Sequence, residues 1–412
     1  MITGGCRVGG SRTPVSGPLV RVLAGWLLVS SAGWAVTTAI AVYAFDRAGA
    51  AGVAVIALAR LVSAAVAAPA AGAALERFGG VRVVTTSCLA QASCLVAAGG
   101  LVIAASTLAL VAVMAITGAV TAAARPGLQA LLAGLSRSET ERADVTAAWS
   151  ALDSAGFLLG AGIAGAAMVL AGAAAVCAGA ALATMVSAAL VGWIRSPTMA
   201  TARGDCGAAA RPLDGLRTVL GTPTLHAPFL FLTGLMLLEG TTDVQLVAVS
   251  HRLQLGDGGP GLMFCLWGIG GLASSLLVRL LVRRRGYAVT IAVGAIGFGL
   301  ALGLAGLSGA ALTLVAMPLT GIGFGLVETG VMGIIPQLCD DHALGRVYGL
   351  SELIYGAAVA IGVLLAPLLI TTFGAGHSIT MIGLAFALAT MLSCGIRARP
   401  APTPPRPPPK QP

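Results

Sequence analysis

Charged residues are scarce in this sequence: 9% of its 412 residues are Asp, Glu, Lys or Arg, against about 25% in an ordinary soluble domain. Asparagine is absent, and the single lysine is Lys410. A Walker A loop needs Gly-Lys followed by Ser or Thr, so this route to ATP is excluded. The eight cysteines include no Cys-x-x-Cys pair and the four histidines are dispersed. We therefore expect no metal site, no cofactor, no disulfide framework and no enzymatic activity.

Apolar runs dominate instead, and twelve of them are about long enough to cross a bilayer, which takes roughly 20 residues. They lack the alternation of barrel strands, and in lipid only helices or closed barrels satisfy the backbone. We predict an all-α membrane protein with 12 transmembrane helices. The predicted spans are 20–44, 50–75, 83–104, 107–133, 146–170, 172–194, 225–249, 260–282, 287–306, 309–335, 346–371 and 375–396.

The spans divide into two sets of six around one polar stretch. The predicted organisation is a cytoplasmic N-terminus (1–19), an N-terminal six-helix bundle (20–194), a cytoplasmic linker (195–224), a C-terminal six-helix bundle (225–396) and a Pro-rich cytoplasmic tail (397–412). Within the linker, 212–220 is expected to form a short amphipathic helix on the inner membrane surface. The tail is expected to be disordered or polyproline-like, and a role as a ligand for SH3-type domains remains an alternative.

The basic residues behind the net charge of +9 lie almost entirely on one side of the predicted membrane spans. With both termini inside, twenty basic residues face the cytoplasm, and only Arg47 and Arg252 face the other side. This is the positive-inside pattern, so we expect a multi-pass protein of the inner (plasma) membrane and no binding of nucleic acid. The first run is too long for a signal-peptide core and a second span follows it, so no cleavage is expected.

The two sets of spans show weak internal similarity. Thr117-Gly118 in span four matches Thr320-Gly321 in span ten at an offset of 203 residues, and Gly33 matches Gly240 at 207. With the division into six and six, these matches predict two pseudo-symmetric bundles related by an axis along the membrane normal.

The loop after span two carries a recognisable motif. Its residues are Gly72, Glu76, Arg77, Gly79 and Arg82. The stretch resembles the loop signature of the major facilitator superfamily, with glutamate where aspartate is usual. The chain resembles that superfamily over nearly its full length, most closely the drug:proton antiporter-like exporters.

Span five carries a second motif, with Gly156, Gly160 and Gly165. It is similar to the glycine-rich antiporter motif, except that Ala161 replaces its proline and Ala164 one glycine. The resemblance implies export and a midplane cavity lined by spans one, four, seven and ten. Trp26 and Trp34, eight residues apart in span one, are candidates for substrate contact; interfacial or packing roles are the alternatives.

Seven ionisable residues lie inside spans, each at a cost on the order of 3 kcal/mol near the bilayer centre. By depth, Arg60, Glu239 and Asp243 are predicted nearer the outer surface, and Arg125, Asp153, Glu328 and Glu352 nearer the cytoplasm. One hypothesis makes these gating charges: Arg60 with Glu239 or Asp243 closes the outer gate, and Arg125 with Glu328 or Glu352 closes the inner one. The alternative is static pairing within each half, chiefly Arg125 with Asp153.

Glu239 and Asp243 are four residues apart and share one helix face. Two close carboxylates in a low dielectric cannot both ionise cheaply, so one is expected to carry a transferable proton. We predict that they couple transport to protons. A counter-charge for Arg60, or simple lining of an aqueous vestibule, are the alternatives.

These features predict a monomeric secondary transporter in the lipid bilayer, with protons and a small molecule as its partners. The leading function is proton-coupled efflux of a small organic or drug-like compound by alternating access. A proton-coupled importer or facilitator of a polar nutrient is one alternative; spans poor in amides argue against its site. A non-transporting membrane sensor or assembly partner is the other.

Overall fold

The computed structural model describes residues 17–136, 139–194, 212–307, 309–339 and 341–397. The predicted segments 1–19, 195–224 and 397–412 lie outside these ranges, apart from residues 17–19, 212–224 and 397. The helices are α1 (Gly17–Phe78), α2 (Gly80–Ile103), α3 (Thr107–Thr121), α4 (Ala124–Leu135), α5 (Glu139–Gly192), α6 (Pro212–Gly221), α7 (Pro223–Arg252), α8 (Gly259–Leu307), α9 (Ala310–Leu338), α10 (Asp341–Phe373) and α11 (Ala375–Arg397). The prediction of an all-α membrane protein is confirmed.

Nine helical segments in the described part of the chain are long and apolar enough to cross a membrane. Three of them are too long for a single crossing, since a helix rises about 1.5 Å per residue and the hydrocarbon core is about 30 Å thick. Each of the three contains a glycine with positive φ: Gly49 (φ 59°) in α1, Gly172 (φ 77°) in α5 and Gly286 (φ 81°) in α8. Glycine adopts this conformation without the steric cost of a Cβ. The breaks fall between predicted spans one and two, five and six, and eight and nine.

The fourth predicted span, 107–133, is interrupted, which the sequence analysis did not anticipate. α3 ends at Thr121 and α4 begins at Ala124. Pro126 explains the interruption: it lacks an N–H donor and its ring would clash inside a continuous helix, but it is tolerated in the first turn of α4. The break therefore places Arg125 at the start of a new helix.

Apolar side chains cover the outside of the helices as well as their interior. Leu108 and Leu170 are each 85% exposed and Ile103 is 79% exposed. In water such an apolar surface would cause the protein to associate, whereas in a bilayer the same side chains face apolar lipid chains. The described α6, over Pro212–Gly221, contacts α7 and α10. Its predicted position on the inner membrane surface stays a prediction.

The helices before the linker contact one another, and so do those after it. Between the two groups, α1 contacts α7, α8 and α10, and α5 contacts α8. The α5–α8 contact is a close backbone approach: an added Cβ at Gly165 would lie 3.0 Å from the Gly258 carbonyl oxygen and 3.1 Å from the Gly261 Cα. This junction joins the two groups of helices, and the same two helices contribute Asp153 and Phe264 to the lining of the central cavity described below.

The Thr-Gly match of the internal repeat plays the same part in packing in both halves, whereas the Gly33–Gly240 match does not: an added Cβ at Gly33 would meet nothing within 4 Å, and one at Gly240 would clash with the Val359 carbonyl. Thr117 and Thr320 each donate a hydrogen bond to the carbonyl four residues earlier in their own helix, at 2.9 and 3.0 Å. Gly118 lies against the Arg60 carbonyl and Gly321 against the Trp267 carbonyl, each so closely that a Cβ would clash. Such small residues let helix backbones approach in lipid.

Candidate functional site

A cavity of about 350 Å³ lies between the two groups of helices. It is large enough for a small organic molecule, since ligand pockets typically measure about 300–1,000 Å³. Its walls come from α1, α2, α3, α4 and α5 on one side and α7, α8 and α10 on the other. Five predicted membrane charges line it: Arg60, Arg125, Asp153, Glu239 and Asp243.

Arg125 and Asp153 form an ion pair on the first group of helices. Arg125 Nη2 lies 3.5 Å from Asp153 Oδ2, and the Ser30 hydroxyl donates to Asp153 Oδ1 at 3.3 Å. The two side chains are 56% and 33% exposed, so the pair is solvated and contributes little to stability. The pair that the static alternative names is thus formed in this structure, and whether it stays formed during transport remains a prediction.

The two candidate tryptophans of α1 both line the cavity, but each is also packed against a second aromatic ring. Trp26 stacks on Trp149 with ring centroids 4.1 Å apart, and the Arg125 guanidinium lies 5.6 Å from its ring centroid. Trp34 meets Phe157 edge to face at 4.6 Å. Packing is thus present for both, and substrate contact stays a prediction.

Arg60 lies on the part of α1 after its break and is directed to the cavity. Its Nη1 donates a hydrogen bond to the Thr37 hydroxyl, which itself donates to the Gly33 carbonyl at 2.8 Å. Within the described ranges Arg60 forms no ion pair. The proposed outer gate pair, Arg60 with Glu239 or Asp243, is therefore not formed in this structure.

Glu239 and Asp243 face the same cavity from α7. The hydroxyl of Tyr355 on α10 donates a hydrogen bond to Glu239 Oε1 at 3.3 Å. Glu239 Oε2 is buried and has no hydrogen-bond partner among the described residues. A buried carboxyl oxygen without a hydrogen-bond partner is costly when it carries charge, so this group is suited to take up a proton.

Glu328 and Glu352 lie outside the cavity lining. Glu328, on α9, is partly buried and close enough to Arg125, Asp153 and Glu352 to interact electrostatically with each. Glu239 in turn lies within electrostatic range of Glu328. Acidic groups thus extend from Asp243 through Glu239 to Glu328 and the Arg125–Asp153 pair. In the described part of the chain neither Glu328 nor Glu352 is in an ion pair with Arg125.

The loop motif occupies the junction of α1 and α2. Gly79 has φ 80°, which the turn requires, and a Cβ added at Gly80 would lie 3.1 Å from Leu131 of α4. Glu76, Arg77 and Arg82 are exposed, and none is in an ion pair within the described residues; Gly72 is also exposed. Gly79 is thus explained by its backbone conformation and Gly80 by packing, whereas an added Cβ at Gly72 would meet nothing within 4 Å. A functional role for the charges stays a prediction.

The span-five motif is a packing face for two neighbours. Gly156 and Gly160 lie against Ser30 and Ser31 of α1, and Gly165 lies against α8. Ala161 and Ala164, at the positions that depart from the motif, are fully buried. The motif therefore packs α5 against α1 within the first group of helices and, through Gly165, against the second group.

Three contacts at or beside the cavity were not predicted from the sequence. Tyr355 donates a hydrogen bond to Glu239, and Thr37 accepts one from Arg60. Phe157 packs against the lining residue Phe264 of α8, with ring centroids 6.1 Å apart. For Thr37 a signal existed, because a buried arginine in lipid needs a polar neighbour. For the other two, the partner lies on a helix distant in sequence, and no local pattern indicates it.

Apolar helices around a central cavity with ionisable walls define a multi-pass membrane transport protein. The model of the Major Facilitator Superfamily matches residues 22–247 and 240–412. The chain belongs to this superfamily, whose members are transporters.

Solved structures agree with this fold. The nucleoside transporter NupG superposes with a TM-score of 0.74 at 11% identity, covering 92% of this chain and 98% of that one. A D-xylose-proton symporter gives 0.71 at 13% identity, covering 91% and 96%. The human organic anion transporter MFSD10 gives 0.67 at 17% identity, covering 92% and 100%. No curated protein sequence matches the chain significantly.

Proposed function

We propose that this protein is a proton-coupled secondary transporter that exports a small organic compound through the central cavity by alternating access. The observation that carries the proposal is the pair Glu239 and Asp243 on one cavity wall, with Glu239 Oε2 buried and unpartnered within the described residues. Because ionising both carboxyl groups in a low dielectric is costly, one of them is suited to carry a proton.

The proposal includes twelve spans in two six-helix bundles. Counting each side of the breaks in α1, α5 and α8 as a separate span supports that number. The repeat contacts at Gly118 and Gly321 support the pseudo-symmetry. An even number of spans with the basic residues inside puts both termini in the cytoplasm of a cell with the protein in its inner membrane. We propose a monomer.

The contacts support a cavity closed to the outside. At the predicted outer ends, Phe45 of α1 and His251 of α7 have ring centroids 5.4 Å apart, and α5 and α8 meet at Gly165 and Gly261. At the predicted inner end, Arg125 is 56% exposed. In this arrangement the carboxyl groups of Glu328 and Asp153 provide the route by which a proton leaves Glu239 for the cytoplasm, with Arg125 as their counter-charge.

Proton-coupled import of a polar nutrient is the second candidate. Its support is the structural likeness to a D-xylose-proton symporter and to a nucleoside transporter. Against it, the lining is mainly apolar, with Val53, Ile56, Met114 and Phe264 among its members, and Gln91 is its sole amide. A mainly apolar lining favours a ligand with a large apolar surface over a sugar or a nucleoside.

The test is proton flux in liposomes that contain purified protein and an internal pH dye. Amphiphilic and polar compounds are added to wild type, Glu239→Gln and Asp243→Asn. We expect a compound-dependent pH change that is lost in at least one variant, with the sign of antiport. A pH change with the sign of symport would indicate import instead of export. Transport without any pH change would refute proton coupling.

A further inference from the structure

We propose that Arg60 binds a carboxylate group of the transported compound, so that the substrate is a carboxylate with a largely apolar body. The inference rests on the proposed function only in taking the central cavity as the transport site. It concerns which compound is bound, and it holds for either direction of transport and with or without protons.

The first step is the unused hydrogen-bonding capacity of Arg60. A guanidinium carries five N–H donors in a planar fork. Among the described residues its side chain donates a hydrogen bond to Thr37 alone. The side chain lines the cavity, so a ligand there can reach the donors that this bond leaves unused. A planar fork with free donors is the geometry that binds a carboxylate through two parallel hydrogen bonds.

The second step is the uncompensated charge. Arg60 lies well inside the membrane span, where a lone positive charge costs on the order of 3 kcal/mol. No carboxylate of the described residues lies within ion-pair distance of it, and no neighbouring charge offsets the burial of its guanidinium. An anion entering the cavity would supply that missing partner and would gain from the low dielectric there.

The third step is how the guanidinium is held. The Thr37 hydroxyl accepts from Arg60 and donates to the Gly33 carbonyl of its own helix. It is thereby fixed as an acceptor, and it orients Arg60 instead of competing for a ligand. The Arg60 carbonyl is held in turn by the close approach of Gly118. Thr37 is thus a positioning residue, and Arg60 is the binding residue.

The fourth step is the surroundings, which define the rest of the substrate. Ile56, Ala57 and Leu61 line the cavity on the same part of α1, and Met114 lines it from α3. Glu239 and Asp243 line it from α7. An anionic group is therefore repelled from the α7 wall and attracted to Arg60, while an apolar body is accommodated beside it.

The test is equilibrium binding by calorimetry to protein in nanodiscs, with empty nanodiscs as the partition control. The probes are matched carboxylates, primary amides and primary amines on phenyl, naphthyl and octyl bodies. We expect wild type to bind at least one carboxylate more tightly than its amide and its amine. Arg60→Gln should weaken the carboxylate about ten- to a hundredfold and leave the amide unchanged.

Two variants and one control separate binding from folding. Arg60→Lys keeps the charge but loses the fork, and Thr37→Val loses the orienting hydroxyl; each should lower the carboxylate-to-amide ratio by a smaller factor. Arg47→Gln is the control, because it removes an exposed arginine that lies over Tyr43. The carboxylate-to-amide affinity ratio of this variant should equal that of wild type. The ratio does not depend on the fraction of folded protein, so a poorly folding variant still reports.

The proposal is overturned if no carboxylate binds wild type, if amines bind better than carboxylates, or if Arg60→Gln leaves the carboxylate-to-amide ratio unchanged. These results are independent of proton flux. A protein that binds carboxylates through Arg60 but moves no protons would refute proton coupling and retain this inference. A protein that moves protons with amines as substrates would support proton coupling and refute this inference.

Discussion

The Tyr355 hydroxyl on α10 donates a hydrogen bond to Glu239 Oε1 on α7, with 3.3 Å between the two oxygens. Both side chains line the cavity. A phenol donating to a carboxylate favours the ionised form of the carboxylate. The contact connects α7 to α10 at the carboxyl group that we propose as the proton carrier, and under that proposal it influences how readily the proton is released.

Tyr355→Phe removes the hydroxyl and keeps the ring. Without that donor, ionised Glu239 is less favourable, so the proton is released less readily. A hydrogen bond to a charged group contributes roughly 1.5–3 kcal/mol, and we expect the pH of half-maximal proton flux to rise by about one unit. The measurement is the pH profile of compound-dependent flux in liposomes.

Tyr348 supplies a matched control on the same helix. It lies seven residues before Tyr355, and its hydroxyl donates to the Met332 carbonyl at 3.4 Å, away from the carboxylates. Tyr348→Phe should leave the pH profile where it is in wild type. Equal profiles for the two variants and wild type would show that Tyr355 has no influence on the proton step.

Gly118 and Gly321 are predicted to be equally sensitive to a single added carbon. In each case the Cβ would clash with a backbone carbonyl of the neighbouring helix, and backbone cannot move aside as a side-chain tip can. We expect Gly118→Ala and Gly321→Ala each to lower stability by about 1–3 kcal/mol, measured as thermal unfolding in detergent. Gly100→Ala is the control, because its Cβ meets nothing within 4 Å. Losses confined to one of the two positions would contradict the equivalence of the repeats.

The helical character of this chain was predictable because lipid imposes it: every apolar run of sufficient length must satisfy its own backbone. The breaks in α1, α5 and α8 fall where the predicted spans separate, at Gly49, Gly172 and Gly286. The interruption before Arg125 was missed, although Pro126 indicates it locally. The ends of the apolar runs indicate where helices break, whereas a break within a run is indicated by a single residue.

The candidate site was predictable in its charges but not in their partners. Arg60, Arg125 and Glu239 stand out because ionisable groups are costly in lipid. Their observed neighbours, Thr37, Asp153 and Tyr355, depend on which helices meet and at what height. The distance between two residues along the chain does not tell whether they meet when they lie on different helices. Contacts between helices could therefore be stated only as alternatives until the packing was known.

Charge exchange at the Arg125–Asp153 pair can distinguish static pairing from an inner latch between Arg125 and Glu328. Arg125→Asp should remove most compound-dependent proton flux, and adding Asp153→Arg should restore a substantial part of it, because the pair lies within 3.5 Å and can reform with exchanged ends. Adding Glu328→Arg instead should restore less. Stability should change by less than about 1 kcal/mol throughout, since the pair is solvated.

Stronger rescue by Glu328→Arg would refute static pairing in favour of an inner latch between the two groups of helices. Wild-type flux in Arg125→Asp alone would show that neither pair matters for transport. Thermal unfolding of each variant, measured beside the flux, separates these outcomes from loss of folded protein.

Alternating access predicts that a covalent link between α5 and α8 stops transport. A Cβ added at Gly162 would lie 3.7 Å from the Cys265 Cβ and 3.2 Å from its Sγ. Disulfides join Cβ atoms about 3.5–4.5 Å apart, so oxidised Gly162→Cys should form a bond with native Cys265. We expect oxidation to abolish compound-dependent flux, and a reductant to restore it. Gly162→Ser, and Gly162→Cys combined with Cys265→Ala, should be insensitive to oxidant. A fully cross-linked protein that still transports would mean that α5 and α8 stay together throughout the cycle, and that the cavity opens elsewhere.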